Sequence, residues 1–262
     1  MIKILSKCTL GDFEYLSEAL DSTLSFTDDK GRKEMLEAYR ANPSEENKSN
    51  LVMKFDHQIR YFASANAAIL FRQVIGSGGE VSANEMIIDV ADKLKVQIVP
   101  FGSIESKLGK LVKAVVEKEF VSKSPEELAA ALNKLMLKPE VIDEVMKETA
   151  KIGPVAVLPI LIRILGPKVA LPIIESIIAS LVSQLIGIQA GTLIAKEFVK
   201  RNPFFNALGP IFWTVSAVWL AFDLQSAAYS KTVPVCLYLG LVSLRDRGED
   251  GEDLWQLFQN DK

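Results

Sequence analysis

Apolar positions in the first 150 residues recur at three- and four-residue intervals. Leu10, Phe13, Leu16 and Leu20 share one helical face, and Leu51, Phe55, Ile59 and Phe62 share another. Helix starts accompany this periodicity. Thr9 is placed to cap a helix running through Ala19, and Ser82 with Glu85 forms a capping box ahead of Met86, Ile87, Val90, Ala91 and Leu94. Ser124-Pro125-Glu126-Glu127 combines a cap, a proline at the first helical position and a carboxylate at the third. The one strand-like stretch, VQIVPF at 96–101, is too short to found a sheet. Polar stretches at TDDKGRK near residue 30, NPSEENKS near 45 and IGSGGE near 77 predict connections between helices. The last lacks the Gly-Lys-Ser/Thr ending and preceding strand of a phosphate loop.

From Ile152 the pattern changes. Pro154, Pro159, Pro167 and Pro172 interrupt an apolar stretch and predict short, kinked helices. Residues 176–195, SIIASLVSQLIGIQAGTLIA, then run without a charge, as do residues 202–222, NPFFNALGPIFWTVSAVWLAF. Twenty residues of helix span roughly 30 Å, the thickness of a bilayer core. Lys196, Lys200 and Arg201 between the runs would hold their connection on the cytoplasmic side. Gly187 and Gly191 give the first run a small-residue face for close helix contact. Its serines and glutamines equally suit a central helix of a water-exposed bundle, and Pro203 and Pro210 shorten the second run. A third apolar piece, TVPVCLYLGLVSL at 232–244, is short for a span and fits a buried or interfacial helix.

The pattern therefore predicts an all-α, multi-helix assembly: an acidic amphipathic module at 1–150, an apolar helical module at 151–245 that is able to meet a membrane, and an acidic tail at 246–262. Charge sharpens the division. Residues 152–245 hold seven basic and three acidic side chains, net +4, so within a chain of net −3 the remainder sums to −7. The N-terminal MIKILSKCTLGDFEYL has no signal-peptide pattern. Cys8 and Cys236 make no metal spacing and are expected to be reduced and buried.

Candidate chemistry is sparse. His57, the one histidine in the chain, lies on an amphipathic helix and reads as a surface or packing residue. Glu140, Glu144 and Glu148 line a helix side as a solvated face. No catalytic constellation, cofactor site or metal site is expected, and an acidic module without a basic stripe interleaved with aromatics argues against nucleic acid. Three groups of residues stand out instead. Asp223, Tyr229 and Lys231 form a candidate structural lock, in which Asp223 ends an apolar helix begun at Pro210. Asp223 shares a face with Ser216 and either meets Lys231 through a turn near Gln225 to Ser230 or takes its partner from Lys196, Lys200, Arg201 or the Tyr229 hydroxyl. Leu185, Gly187, Gly191, Trp213, Val218 and Trp219 are candidate membrane-interacting residues. Leu254, Trp255 and Phe258 in the acidic tail form a candidate partner-binding motif.

Three stretches carry a family resemblance. They are ILSKCTLGDFEYLSEAL with DDKGRKEMLEAY, then IRYFASANAAILFRQVIGSGGEVSANEMIIDVADKLKV, then GPIFWTVSAVWLAFDLQSAAYSKTVP continuing to YLGLVSLR. Together they resemble the bacterial YaaW-like family of uncharacterised proteins, grouped with the ubiquinol–cytochrome c chaperones. In the third stretch Asp223, Tyr229, Thr232 and Pro234 keep the family's places, while Ser226 and Ala227 stand for its Gly-Pro and Ser230 for its arginine. The grouping implies, by analogy, assembly or insertion of membrane-bound components. The sequence thus leaves three functional expectations: a non-enzymatic adaptor or assembly factor with a protein partner at the cytoplasmic face of the inner membrane, a conditional membrane-inserting protein with a sheltered helical hairpin, or a soluble helical protein-binding module.

Overall fold

A computed structural model describes residues 1–21, 29–64, 81–134, 137–152, 157–186, 219 and 229–245. Among these the chain forms eleven α-helices and no strand, the all-α architecture that the periodicity predicts. They are α1 (Ile2–Leu5), α2 (Leu10–Leu20), α3 (Asp29–Ala41), α4 (Glu45–Ser64), α5 (Ala83–Lys93), α6 (Ile104–Val121), α7 (Pro125–Lys134), α8 (Pro139–Ile152), α9 (Val157–Leu165), α10 (Pro167–Ile186) and α11 (Tyr229–Arg245).

Local chemistry sets the helix ends. Thr9 accepts the Asp12 amide while Asp12 accepts the Thr9 amide at 2.7 Å, closing the box that starts α2. Ser82 and Glu85 do the same for α5, and Ser124 and Glu127 for α7. Helix α5 stops in a Schellman arrangement, with Val96 N–H donating to Ala91 and Lys95 N–H to Asp92. Lys95 takes the left-handed position, φ 51°, where glycine is usual. One predicted connection is overturned: DKGRK is not a linker but the start of α3. Gly31 weakens that turn by about 1 kcal/mol. Arg32, one position on, offsets the loss because its side chain is buried among partners on three segments.

The last helix organises the rest. All thirteen residues from Thr232 to Leu244 are buried, which marks a helix surrounded on every side. Its most extensive contact is with α6, and it also packs on α1, α2, α4, α5 and α10. Residues from both ends of the chain, Ile4 to Leu244, belong to one hydrophobic cluster. Of the buried or interfacial helix expected at 232–244, the structure has the buried one, in a helix that extends four turns or more from Tyr229. Two features fix its register. At Gly240 a Cβ would lie 2.7 Å from the Leu108 carbonyl oxygen and closer still to Val112 Cγ2, so only glycine lets the two backbones approach. At the other face, Tyr238 Oη donates to Asp12 Oδ1 at 2.6 Å and Arg245 Nη2 donates to the same oxygen at 2.9 Å. The Tyr15 and Tyr238 rings meet at 4.0 Å between centroids.

Of the four prolines expected to interrupt the apolar stretch after Ile152, Pro154 lies outside the described residues and Pro159 falls in the first turn of α9. Gly166, φ +76°, ends α9 by donating to the Ile162 carbonyl, and Pro167 opens α10 at the position where its missing N–H costs nothing. Pro172, however, sits inside a 20-residue helix without ending it. It removes one bond from the ladder, and the flanking residues, buried from Pro172 to Val182, hold the helix by packing. No helix among the described residues is long and apolar enough to cross a membrane. Within residues 176–195, Ser176 to Val182 are buried, in a helix that packs on α9, α11 and α6.

Helices α8 and α9 are joined by a surface ion pair. Glu148 accepts from Lys151 at 2.9 Å and from Arg163 at 2.8 Å, and these hydrogen bonds pull its carboxyl from 4.5 to about 2. Glu140 and Glu144 of the same row are exposed, whereas Glu148 is half-buried in this bridge. A carboxyl depressed in the folded state stabilises fully above its unfolded pKa, and that contribution fades as the pH falls through the folded value. The α8–α9 contact is thus expected to weaken between pH 4.5 and about 2. A Glu148→Gln variant should lose this acid dependence in a pH-resolved denaturation series. An unchanged slope would contradict the assignment.

Candidate functional site

Helix α6 has two chemically distinct faces. Leu108, Leu111, Val112 and Val115 bury themselves in the core. Lys110, Lys113, Ala114, Glu117, Lys118 and Val121, spaced by three and four, line the opposite side. That side forms one wall of a groove of about 620 Å³ whose other wall is the non-helical segment Lys95 to Val99. Four lysines against one glutamate leave the lining at +3, on a chain that is −3 overall. Its aliphatic part comes from Val96, Ile98, Val99, Ala114 and Val121.

Lys118 holds the two walls together. Its ammonium donates to the Leu94 carbonyl at 2.6 Å and to that of Lys95 at 3.3 Å, so a cation sits on the last carbonyls of α5, where the helix dipole favours it. Burial, and then the nearby Lys95, depress its pKa. The same ammonium lies 5.1 Å from the ring centroid of Trp219, whose Nε1 donates to Glu119 Oε2 at 2.7 Å. Glu119 in turn pairs with Lys123 at 3.2 Å. Replacing Lys118 with methionine is expected to cost about 1.5–3 kcal/mol, the worth of hydrogen bonds from a charged donor. Lys113 is 7% exposed, so its ammonium is set into the groove wall and not displayed on a flexible arm.

Two of the three residues expected to form a lock are described. Tyr229 and Lys231 both lie on the first turn of α11 and face different neighbours. The Tyr229 ring receives Lys93 Nζ at 4.8 Å, and burial, followed by Asp89 and Asp92, raises its hydroxyl pKa. Lys231 donates to the Asp21 carbonyl at the end of α2, and burial lowers its pKa. Asp223 lies outside the described residues, as do Gly187, Gly191, Trp213, Val218, Leu254, Trp255 and Phe258. Leu185 is placed on α10, with only its backbone described. Trp219, expected at a membrane, is 2% exposed and packed against the C-terminal end of α6.

A curated UPF0174 protein of Helicobacter pylori (strain J99 / ATCC 700824) is 23% identical to this chain over 199 residues, covering 75% of this chain and 73% of its own length. No protein-family model and no solved structure matches the chain.

The remaining ionisable groups are mostly engaged in tying helices together. Glu105 at the start of α6 pairs with Lys3 and Lys7 at 3.3 Å each. Burial pushes the Glu105 carboxyl up, but the hydrogen bonds from the two lysines outweigh it and the net shift is downward. His57 is exposed on α4, and Cys8 and Cys236 are both buried, the Cys236 thiol pushed up by burial. Among the described residues no group of three or more His, Cys, Asp or Glu side chains is arranged to hold a metal ion. The groove lysines are interleaved with aliphatic and not aromatic residues, so they carry no nucleic-acid signature in the sequence. The available signal was the spacing of Lys110, Lys113, Glu117 and Lys118 along a helix whose other side carries Leu108, Leu111, Val112 and Val115.

Proposed function

We propose that this protein is a non-enzymatic helical adaptor that binds a partner protein through the lysine-lined groove beside α6. The observation that carries this reading is the groove itself: a basic, partly aliphatic concavity on a chain of opposite net charge, mounted on the helix that packs most extensively against the central α11. Rigid placement of such a surface favours recognition by lowering the ordering cost of binding. A role in assembling larger complexes, which the resemblance to the YaaW-like family implies, is compatible with an adaptor and needs no chemistry at the site. The burial of Ser176 to Val182 and of Thr232 to Leu244 supports a helical module in which these apolar stretches are packed against neighbouring helices.

A photo-crosslinking residue at Val99, introduced into the full chain in cells, should give one discrete protein adduct whose yield falls in a Lys110→Glu background. A crosslinker at Met53, exposed on α4, supplies the control. If Val99 gives only the diffuse background seen from Met53, the adaptor reading fails.

A further inference from the structure

The two walls of the groove offer different things. The α6 wall offers charge, through Lys110, Lys113 and Lys118. The facing wall offers backbone: Val96 is buried, Gln97 exposed, Ile98 half-buried and Val99 exposed, the alternation of a strand. Gln97, Ile98 and Val99 make no hydrogen bond within the described residues, though each has a carbonyl and an N–H to satisfy. Pro100 follows and lacks an N–H, which bounds the edge on one side, while the Schellman turn at Lys95 bounds it on the other. Exposed apolar side chains cluster here, with Val99 at 37%, Val121 at 51% and Phe101 at 79%.

We infer that the groove docks an extended acidic segment of a partner protein, in which carboxylates alternate with apolar side chains, paired as an added strand along Gln97 to Val99. This rests on the adaptor reading and specifies the partner's chemistry. Strand addition obtains affinity from main-chain hydrogen bonds and specificity from alternate side chains. In this groove one set of side chains would face Lys110 and Lys113, and the other the aliphatic surface of Ala114 and Val121. From Lys110 to Val121 the helix runs roughly 16 Å at 1.5 Å per residue, the length of about five extended residues. A peptide of that size can meet both walls at once. An anionic bilayer is too flat to enter the groove. A nucleic acid strand would use the lysines and leave the backbone edge and aliphatic wall unsatisfied.

The probe is a fluorescein-labelled seven-residue peptide alternating glutamate and valine, titrated into the full-length protein by anisotropy. Binding is expected to weaken about tenfold in Lys110→Glu, the loss of a charge-assisted contact, and to weaken as salt is raised. The same peptide N-methylated at alternate amides, used with wild-type protein so that folding is not in question, should lose binding by a similar factor on the methylated edge that faces Gln97 to Val99. Equal binding of the N-methylated peptides, or of a lysine–valine peptide, overturns the inference. So does tighter binding, at the same lysines, of a thymidine oligonucleotide, of phosphatidylglycerol vesicles or of the chain's own GEDGEDLWQLFQNDK peptide. A partner crosslinked at Val99 through a helical or basic segment would overturn this inference and leave the adaptor reading standing.

Discussion

Replacing Arg32 with methionine should lower the stability of the fold by about 3–5 kcal/mol, the cost of breaking a buried charge network by removing one partner. Arg32 is 0% exposed, and every one of its five N–H groups has an acceptor. Nε donates to Ser17 Oγ at 3.0 Å, one terminal nitrogen to Asp29 and Gln58 at 2.8 Å each, and the other to the Ser17 carbonyl at 2.9 Å and to Asp21. A single guanidinium therefore joins α2, α3 and α4. Its removal leaves Asp21 with Lys33 at 2.7 Å and takes one donor each from the Gln58 side chain and the Ser17 carbonyl in the interior. Lysine in its place supplies charge without the planar fork and should recover only part of the loss. Denaturant titration measures both, and thermal unfolding should show Arg32→Met melting on the order of 10 °C lower. A change under about 1 kcal/mol would mean that the network contributes little net stability, as buried pairs sometimes do.

The second large effect is expected at Gly240. Alanine there adds one methyl group, yet that methyl would meet the backbone of α6 at Leu108 as well as the Val112 side chain. A side chain can turn aside, whereas a helix carbonyl moves only if α6 and α11 separate, so the cost should reach about 3 kcal/mol or more, the upper end for overpacking. Combining Gly240→Ala with Val112→Ala discriminates the two contacts. Relief of the methyl clash should make the double variant less damaged than the sum of the singles, while the Leu108 carbonyl keeps it well below wild type. Full rescue would show that the Val112 side chain alone sets the spacing.

Sequence and structure agree where the determinants are local. Thr9, Ser82 and Ser124 announce helix starts because a cap and its acceptor lie three residues apart, inside any reading window. The apolar TVPVCLYLGLVSL reads as a buried or interfacial helix for a similar reason, since its length and its lack of a polar face are written in consecutive residues. What surrounds that helix is not written there. Asp12 meets Tyr238 across 226 positions, and no periodicity announces the pair. Arg32 hid for the same reason: DKGRK is polar enough to pass for a turn, and its acceptors come from α2 and α4 as well as α3. Hydropathy also could not assign the apolar run beginning at Ser176, because a core of neighbouring helices and a lipid tail are equally good solvents for isoleucine. The lysine groove was half legible. The stripe on α6 is visible in the sequence, but the concavity also needs the segment Lys95 to Val99, whose start Lys118 meets from across the groove.

The central position of α11 has a kinetic consequence. It follows the other ten described helices, yet α1, α2, α4, α5, α6 and α10 all pack on it. A ribosome releasing the chain N-terminus first therefore exposes the inward surfaces of α1 to α6 for as long as it takes to translate through Arg245. Folding to completion is then a late event of high contact order, slowed by closure of a loop of more than two hundred residues between Asp12 and Tyr238. During that interval the nascent helices form a sticky, half-built shell, and crowding or heat shock should divert them to aggregates more readily than it disturbs the finished protein.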